Sequence, residues 1–525
     1  MQSVVKSEEM KKIDVLASKK LSIPSIILME NAGRCFVEIM QKSYGTLSQK
    51  NILIICGKGN NGGDGFVIAR YLLKEQANVT VILMEKESLI QKDAKINYEI
   101  LKKHGFENLT LISEKNKNYK KQRWDFIIDA IFGASFQGKL QGKYFSIVQW
   151  LNKQSAKILS VDVPSGVNAT TGEVKGIAVQ AHHTITMAAP KVGFFLNNAP
   201  NYIGKLDIAD IHIPSNIISK NFSNIFMIEE CDVTSSLSKK LRTAHKYSVG
   251  KVLVLAGSKG FSGAALLASQ SAMKTGCGAV VLGVPSTIFP AISKRTLEVM
   301  PFELSSTKEG TLSENQIPEL QKKIFWADVV LIGPGLSQNS ETQKFIYQLL
   351  STISKPIVLD ADGLNAIANN INLLLTRKTS SLILTPHLGE FSRLVKMDVN
   401  EIQKNIIAIA KKFAAQYNVV LVLKGPHTLI ANPKGKLYIN SSGNSGMATA
   451  GSGDVLSGII ASLVAQGNDI LTASINGVYL HGKAGDLAKD QIGERGMIAS
   501  DIMTYTPVAI MQLLITDFYK EKRIE

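Results

Sequence analysis

Residues 51–73 read NILIICGKGNNGGDGFVIARYLL, and this stretch decides the fold class. The run 51–56 is continuously apolar after its first residue and has the length of a buried strand. Gly57, Gly59, Gly62, Gly63 and Gly65 then mark a tight turn, and Phe66, Ala69 and Leu73 follow at the spacing of one helix face. Similar strand-like runs recur at 79–83, 126–131, 158–163, 251–256, 279–284, 329–332, 357–360, 382–384 and 419–423, with helical spacing between them. The expectation is an α/β chain whose sheets are largely parallel. Near the other end, Gly451-Ser452-Gly453-Asp454 precedes Val455, Ile459 and Leu463, interleaved with Leu456, Ile460 and Val464. Both of these helices are expected to begin at the motif aspartates, Asp64 and Asp454.

A chain of 525 residues exceeds one ordinary core and predicts two, each of roughly 200–300 residues. The alternation lapses between about 214 and 246, in a stretch rich in Ser, Asn and Lys that includes Ser215-Asn216, Ser235-Ser236 and Ser238-Lys239-Lys240, interrupted by the apolar Ile225-Phe226-Met227. The junction is placed there, with domains expected at 1–220 and 228–520. The last residues, Lys520-Glu521-Lys522-Arg523, read as a solvated helix end.

The net charge of +16 divides evenly, +8 in residues 1–230 and +8 in the remainder. Only nine of the basic residues are Arg, and no dense basic stripe appears, so a solvated Lys-rich surface is expected and nucleic acid is not. Cys35, Cys56, Cys231 and Cys277 are scattered, without metal-ligand spacing, which predicts a reduced, cytoplasmic chain. The polar N-terminus and the lack of any long apolar run predict neither export nor membrane attachment.

Gly57-Lys58-Gly59-Asn60-Asn61-Gly62 has the G-x-G-x-x-G spacing after a strand and before a helix, and Glu85 ends the next strand where a ribose-binding acid would stand. An Asp64 in the first helical turn would compete with a pyrophosphate for the positive helix end, so the pattern departs from a simple dinucleotide site. The bland alternative is that Asp64 caps its helix and the glycines only make a turn. Gly133-Ala134-Ser135-Phe136-Gln137-Gly138-Lys139-Leu140 matches the phosphate-loop spacing until Leu140 replaces the Ser or Thr that holds magnesium, which excludes an ordinary P-loop. Its small residues and Lys139 still offer a metal-free phosphate cradle. Asp129 and Asp162 each end a strand and are expected to converge with Asn61 at one sheet edge, where α/β proteins bind ligands.

In 444–454, small residues leave backbone N–H groups free before an amphipathic helix, a setting for a phosphoryl group. Asp454 stands where a base can take a hydroxyl proton during phosphoryl transfer, and the bland alternative is again a capping aspartate. His481 reads as structural, and the pair His182-His183 carries no assignment. Asp360 and Asp362 end a strand, where approach to magnesium and plain solvation are equally open.

Met29-Glu30-Asn31-Ala32-Gly33, the 59–65 segment, Asp129-Ala130-Ile131-Phe132-Gly133 and Val161-Asp162-Val163-Pro164-Ser165-Gly166 together resemble the YjeF N-terminal family, the NAD(P)H-hydrate epimerases, over about residues 1–215. The resemblance implies a Rossmann-like three-layer α/β/α domain. It implies that Asn60, Asn61, Gly62, Gly63, Asp64, Gly133, Ala134, Ser135, Phe136, Gln137, Gly138, Lys139 and Asp162 contact the hydrated dinucleotide. It also implies a potassium ion held by Asn61, Asp129 and Ser165, and oxygen ligands suit such a hard cation. Asp162 is the expected proton-handling group.

Gly257-Ser258-Lys259-Gly260-Phe261-Ser262-Gly263-Ala264, Gly333-Pro334-Gly335-Leu336, Thr385-Pro386-His387-Leu388-Gly389-Glu390, Lys424-Gly425-Pro426-His427-Thr428 and the Asp454 motif resemble the YjeF C-terminal family, ADP-dependent NAD(P)H-hydrate dehydratases of the ribokinase-like superfamily, over about 228–515. By that resemblance Ala264, Gly335, His387 and Asp454 touch the hydrate, Lys424, Gly425, Pro426, His427, Thr428 and Gly453 bind the nucleotide, and magnesium assists. Ala265 and Leu388 stand where proline is frequent and Ser337 where glycine is frequent. The implied whole is a bifunctional enzyme that epimerises NADHX and NADPHX and dehydrates the S epimer with ADP, giving AMP and phosphate; a homo-oligomer is expected. The competing readings are a small-molecule kinase of the hydroxyethylthiazole type and a non-catalytic nucleotide-binding N-terminal domain.

Overall fold

The computed structural model describes residues 1–214, 217–218, 224–237, 240–314 and 316–521. The expected linker residues 215–216 and 238–239 and the expected terminal pair Lys522-Arg523 lie outside them. The chain divides into two compact units, one within Gln2–Ser223 and the other from Asn224 onward.

The first unit holds strands β1 (Asn51–Cys56), β2 (Asn78–Leu83), β3 (Leu109–Ser113), β4 (Phe126–Ala130), β5 (Lys157–Val161), β6 (His183–Met187) and β7 (Lys205–Ala209). They pair in the order β3-β2-β1-β4-β5-β6-β7, every pair parallel. Alternate residues of β1 feed opposite cores, as a strand covered on both faces requires. Ile52, Ile54 and Cys56 pack with Phe36, Met40, Phe66 and Leu72, from the helices α2 (Ser25–Tyr44) and α3 (Asn60–Lys74). Leu53 and Ile55 pack with Ile147, Val148 and Leu151 of α4 (Gly142–Leu151) on the other face. The result is the expected three-layer Rossmann-like arrangement. Helix α1 (Ser7–Leu21) adds Met10, Ile13 and Ala17 to the first core.

The second unit contains β8 (Ile225–Met227), β9 (Lys251–Leu255), β10 (Ala279–Pro285), β11 (Met300–Leu304), β12 (Val329–Ile332), β13 (Ile357–Leu359), β14 (Leu382–Leu384), β15 (Val420–Leu423), β16 (Leu429–Ala431) and β17 (Leu437–Ile439). Their order is β8-β17-β16-β15-β14-β13-β12-β9-β10-β11, parallel except for the β15-β16-β17 meander. Helices α5 (Ser262–Thr275), α7 (Ser452–Ala465) and α8 (Ile470–Ile492) cover one face, with Ala265, Ala268, Val455, Ile459 and Val478 buried against Val252, Val254 and Leu331. Helix α6 (Leu388–Val395) follows β14. In both sheets the strand order reverses, between β1 and β4 in one and between β9 and β12 in the other. That reversal opens a crevice between the loops at the carboxyl ends.

The structure corrects several expectations. Both motif helices begin before their aspartates, α3 at Asn60 and α7 at Ser452, because Gly59 and Gly451 serve as their N-caps. Asp64 therefore lies in the second turn, so its competition with an anion at the helix end is relieved. The Ile225–Met227 run is a strand paired in parallel with β17 rather than part of a linker. Strand β6 escaped notice because Thr184 and Thr186 are buried; their hydroxyls donate to the Ile203 carbonyl at 2.7 Å and to Asp162 Oδ1 at 3.0 Å.

Candidate functional site

At the β1/β4 crevice of the first unit lies a cleft of about 750 Å³. Its floor exists because several side chains are missing. A Cβ on Gly62 would lie 1.9 Å from the Gly57 carbonyl, and one on Gly57 would lie 2.1 Å from the Ile131 carbonyl, so the two loops touch only as glycines. Asn60, Asn61, Asp64, Gly133, Ala134, Ser135, Phe136, Gln137 and Asp162, all expected to touch substrate, line the cleft. Gly62 and Gly63 do not: Gly63 packs on Met29 and Ala94, and both serve the approach of α3 to its surroundings. Gly138 and Lys139 also lie outside the lining; Lys139 runs along Gly176 instead. Loop 131–140 is irregular and leads into α4, whose N-cap is Gln141.

Asp162 follows β5 with φ of 64°, a left-handed conformation that swings its carboxylate into the cleft. Oδ1 accepts from Lys191 Nζ at 2.5 Å, Thr186 Oγ1 at 3.0 Å and Met187 N at 3.3 Å. Oδ2 accepts from Ala134 N at 3.2 Å. Burial works to raise this carboxyl, but the Lys191 ammonium and the hydrogen bonds from Lys191, Met187 and Thr186 together outweigh it and hold Asp162 below the usual range. Lys191 is fully buried, also bonded to Thr186 Oγ1 and the Met187 carbonyl, and belongs to no motif. Asp14, on α1, lines the same cleft, with its carboxyl raised to about 6 by burial, the Asp162 charge adding to the rise and Lys191 opposing it. Asp64 is driven well above the usual range by burial, then by Asp162 and Asp14, which favours its neutral acid.

Beneath the cleft, Asp129 is completely buried. Its Oδ1 accepts from Ser165 Oγ at 2.6 Å and Ile131 N at 3.2 Å, and its Oδ2 from Ser165 N at 2.8 Å and Ser160 Oγ at 3.1 Å. All these donors are neutral, and burial still pushes the carboxyl up. Ser165 Oγ accepts from Phe132 N at 3.0 Å, and Asn61 Oδ1 lies against Gly133. Asn61, Asp129 and Ser165 thus flank one short segment, and Asn61 Nδ2 is buried without a hydrogen-bond partner.

In the second unit, the loops after β9, β12, β13, β14 and β15 converge. Gly335 at φ 63° abuts Ala264, since a Cβ there would lie 3.0 Å from the Ala264 Cβ. Lys424 Nζ donates to Asp360 Oδ1 at 2.8 Å and lies 3.9 Å from Glu390 Oε2, and a Cβ on Gly453 would meet it at 3.1 Å. Burial would lower the Lys424 ammonium, but Asp360 and Glu390 raise it, so it stays charged. Asp454, in the first turn of α7, is raised to about 7 by burial, then by Asp360, against Lys424. Asp360 is buried and its Oδ2 has no hydrogen-bond partner, while Asp362 Oδ2 accepts from Ser337 N at 2.8 Å.

His387 does more than its motif suggested. Its Nδ1 accepts from Gly389 N at 3.0 Å and Glu390 N at 3.2 Å, capping α6, while Glu390 Oε2 accepts from His387 N at 2.8 Å. Its side chain stays half exposed. Gly425 and Pro426 are exposed, whereas Thr428 is buried and His427 turns its Nδ1 to the Asn440 carbonyl at 3.0 Å. His481, read as structural, is buried with Nε2 3.3 Å from Ser452 Oγ, and burial lowers it to about 4.

The family described as YjeF-related protein N-terminus matches residues 25–193, and the one described as NAD(P)H-hydrate dehydratase matches 252–508. A bifunctional NAD(P)H-hydrate repair enzyme of Moorella thermoacetica is 40% identical over 514 residues, covering 97% of each chain. The chain belongs to the bifunctional NAD(P)H-hydrate repair enzyme family. The Escherichia coli K12 enzyme of that name is 32% identical over 489 residues, 93% of this chain and 90% of its own. An ADP/ATP-dependent NAD(P)H-hydrate dehydratase of Bacillus subtilis, co-crystallised with ATP and Mg2+, is 33% identical and aligns with 55% of this chain and 99% of its own at a TM-score of 0.48. Among the described residues no helix is long and apolar enough to cross a membrane.

Proposed function

We propose that the first unit interconverts the epimers of hydrated NADH and NADPH, and that the second dehydrates the S epimer using ADP, releasing AMP and phosphate. The observation that carries this reading is Asp454: a carboxyl poised near neutrality, at a helix start, beside the Lys424–Asp360 pair. It takes the proton of the ring hydroxyl as that oxygen attacks the terminal phosphorus of ADP, and the P–O bond to AMP breaks. Lys424 and the free N–H groups of α7 hold the developing negative charge. Elimination then breaks the C–O bond, phosphate departs with the electron pair, and the neighbouring ring carbon gives up a proton. Asp360 Oδ2, buried and unpartnered, fits as the protein oxygen facing a magnesium ion, which would neutralise the phosphates.

In the first unit, inversion at the hydrated carbon requires one of its bonds to break and re-form. As the hydroxyl oxygen gives up its proton, the C–N bond opens to an aldehyde and the ring nitrogen takes up a proton; reclosure on the opposite face re-forms C–N and returns a proton to the oxygen. Asp162 Oδ2 is the more open oxygen of an ionised carboxylate, and Asp14, near 6, is able to hold a proton and release it. Asn61, Asp129 and Ser165 fit a potassium ion: the donors are oxygens, and the buried Asp129 carboxylate meets only neutral partners. Such an ion would offset the charge of Asp129 below the substrate. The four cysteines are unpaired, in keeping with work in the reducing cytosol.

The test is to incubate the purified chain with mixed NADHX epimers and ADP while following NADH, free phosphate and the epimer ratio. Complete conversion of both epimers to NADH with release of phosphate is expected. Consumption that stops at one epimer removes the epimerase assignment, and a stable phosphorylated product points to a small-molecule kinase.

A further inference from the structure

The sheet order of the first unit gives its cleft a direction. Asp162 stands at the carboxyl end of β5 and Glu85 just beyond the carboxyl end of β2, with β1 and β4 between them. Three strand spacings separate the two ends, about 14 Å, so a dinucleotide whose hydrated ring lies at Asp162 extends over Lys58 and Asn60 toward Glu85. On the reading that this unit is an epimerase, the end arriving at Glu85 is the adenosine ribose. The two forms of the substrate differ only at that ribose, by a 2′-phosphate.

Glu85 is not a free ribose-binding acid. Its Oε1 accepts from Tyr144 OH at 2.5 Å and its Oε2 pairs with Lys143 Nζ at 2.9 Å. Lys143 is fixed in turn by donating to the Met84 carbonyl at 2.5 Å. Tyr144 lines the cleft and rests on Phe132, ring centroids 4.8 Å apart, so the acid is tied to the cleft wall. Lys58 lines the same end, and its charge, after Tyr144 and Lys143, helps to hold the Glu85 carboxyl below its ordinary range. A carboxylate whose two oxygens already accept from Tyr144 and Lys143 has fewer lone pairs left for a ribose diol, and two ammonium groups beside it leave this end net positive.

We infer that the Glu85–Lys143 pair, with Lys58, is the specificity element of the epimerase unit, and that it admits the adenosine 2′-phosphate by masking the acid and presenting an ammonium group to the phosphate. The opposite arrangement, an unmasked acid at this position, would select the unphosphorylated form by bonding its ribose hydroxyls and repelling a phosphate.

The experiment uses the full chain without nucleotide and measures kcat/KM for epimerisation of NADHX and NADPHX separately, by chromatographic separation of the epimers. Lys143→Met is expected to lower the NADPHX to NADHX ratio by about tenfold, because it removes a charged partner and bares Glu85. Glu85→Gln is expected to raise that ratio. Lys143 is partly exposed, and thermal melting of each variant confirms folding. An unchanged ratio in both variants, or equal losses on both substrates, overturns the inference while leaving the epimerase reading standing. A wild-type chain that epimerises neither substrate overturns both.

Discussion

Lys191 Nζ lies 2.5 Å from Asp162 Oδ1, a buried ion pair in which the lysine is wholly withdrawn from solvent and the aspartate is held at a φ of 64°. The pair fixes both the charge and the direction of the carboxylate that faces the cleft. Without the lysine, that buried carboxylate would rise toward its neutral form.

Lys191→Met should therefore do two things. Breaking one partner from a buried pair destabilises by about 3–5 kcal/mol, read from urea unfolding of the first unit's transition. Epimerisation should fall by at least about a hundredfold, with whatever remains shifting to higher pH as Asp162 ionises later. Adding Asp162→Asn to Lys191→Met should restore part of the stability and none of the activity. A single Lys191→Met substitution that melts like the parent chain rules out the structural part of this account.

Dehydration should depend on pH through Asp454. The group is raised from the ordinary carboxylate range to about 7, and only its ionised form accepts a proton, so kcat/KM rises with pH across neutrality and levels off above it. The stability effect has the opposite sense. A carboxyl whose folded pKa is raised stabilises the fold fully only below its unfolded value, and that contribution is lost as pH climbs through about 7. Asp454→Asn should thus abolish dehydration yet raise the melting temperature at pH 8 by several degrees, with little change at pH 4. A flat pH–rate profile between 6 and 8 would remove Asp454 as the base.

What could be read in advance follows from where each constraint resides. Gly62 was legible because the close approach that requires it comes from Gly57 in the same turn, whereas Gly57 and Gly133 answer to the distant Ile131, Asn61 and Asp162 and were legible only through the motifs that hold them. The strands β1, β12 and β14 matched residue for residue because each is an apolar run, preceded in β1 by Asn51 alone. Lys191 was not legible: its burial is created by β6 and by the turn that follows it, and a lysine outside any motif reads as surface. Asp14 was hidden for a different reason, since an exposed acid on an amphipathic first helix reads as solvated surface and only the tertiary structure shows that it lines the cleft. Strand β11 was missed because its Met-Pro-Phe-Glu-Leu sequence sits at a sheet edge, where neither continuous burial nor clean alternation is required.

Gly333 offers a sharp steric test. It has φ of 129°, and a Cβ there would lie 1.8 Å from the carbonyl of Asp360 and 2.9 Å from Gly363 N. Gly333→Ala must separate the β12 and β13 loop ends, and Asp360 carries Lys424. Loss of about 3 kcal/mol or more from the second unit is expected, together with a weaker ADP interaction measured by calorimetry. Epimerisation by the first unit should persist, which separates a local distortion from general misfolding.

Ser337 predicts a change in the other direction. It holds φ of 67° without being glycine, and its N–H donates to Asp362 Oδ2 at 2.8 Å. A left-handed non-glycine residue costs about 1–3 kcal/mol, and glycine relieves this while keeping the same N–H donor. The greater freedom of glycine in the unfolded chain returns about 0.4–1 kcal/mol of that gain. Ser337→Gly should therefore stabilise the second unit by about 1 kcal/mol and raise its melting temperature by about 2–4 °C, with dehydration unchanged. A lower melting temperature would mean that the serine hydroxyl contributes more than the strain it imposes.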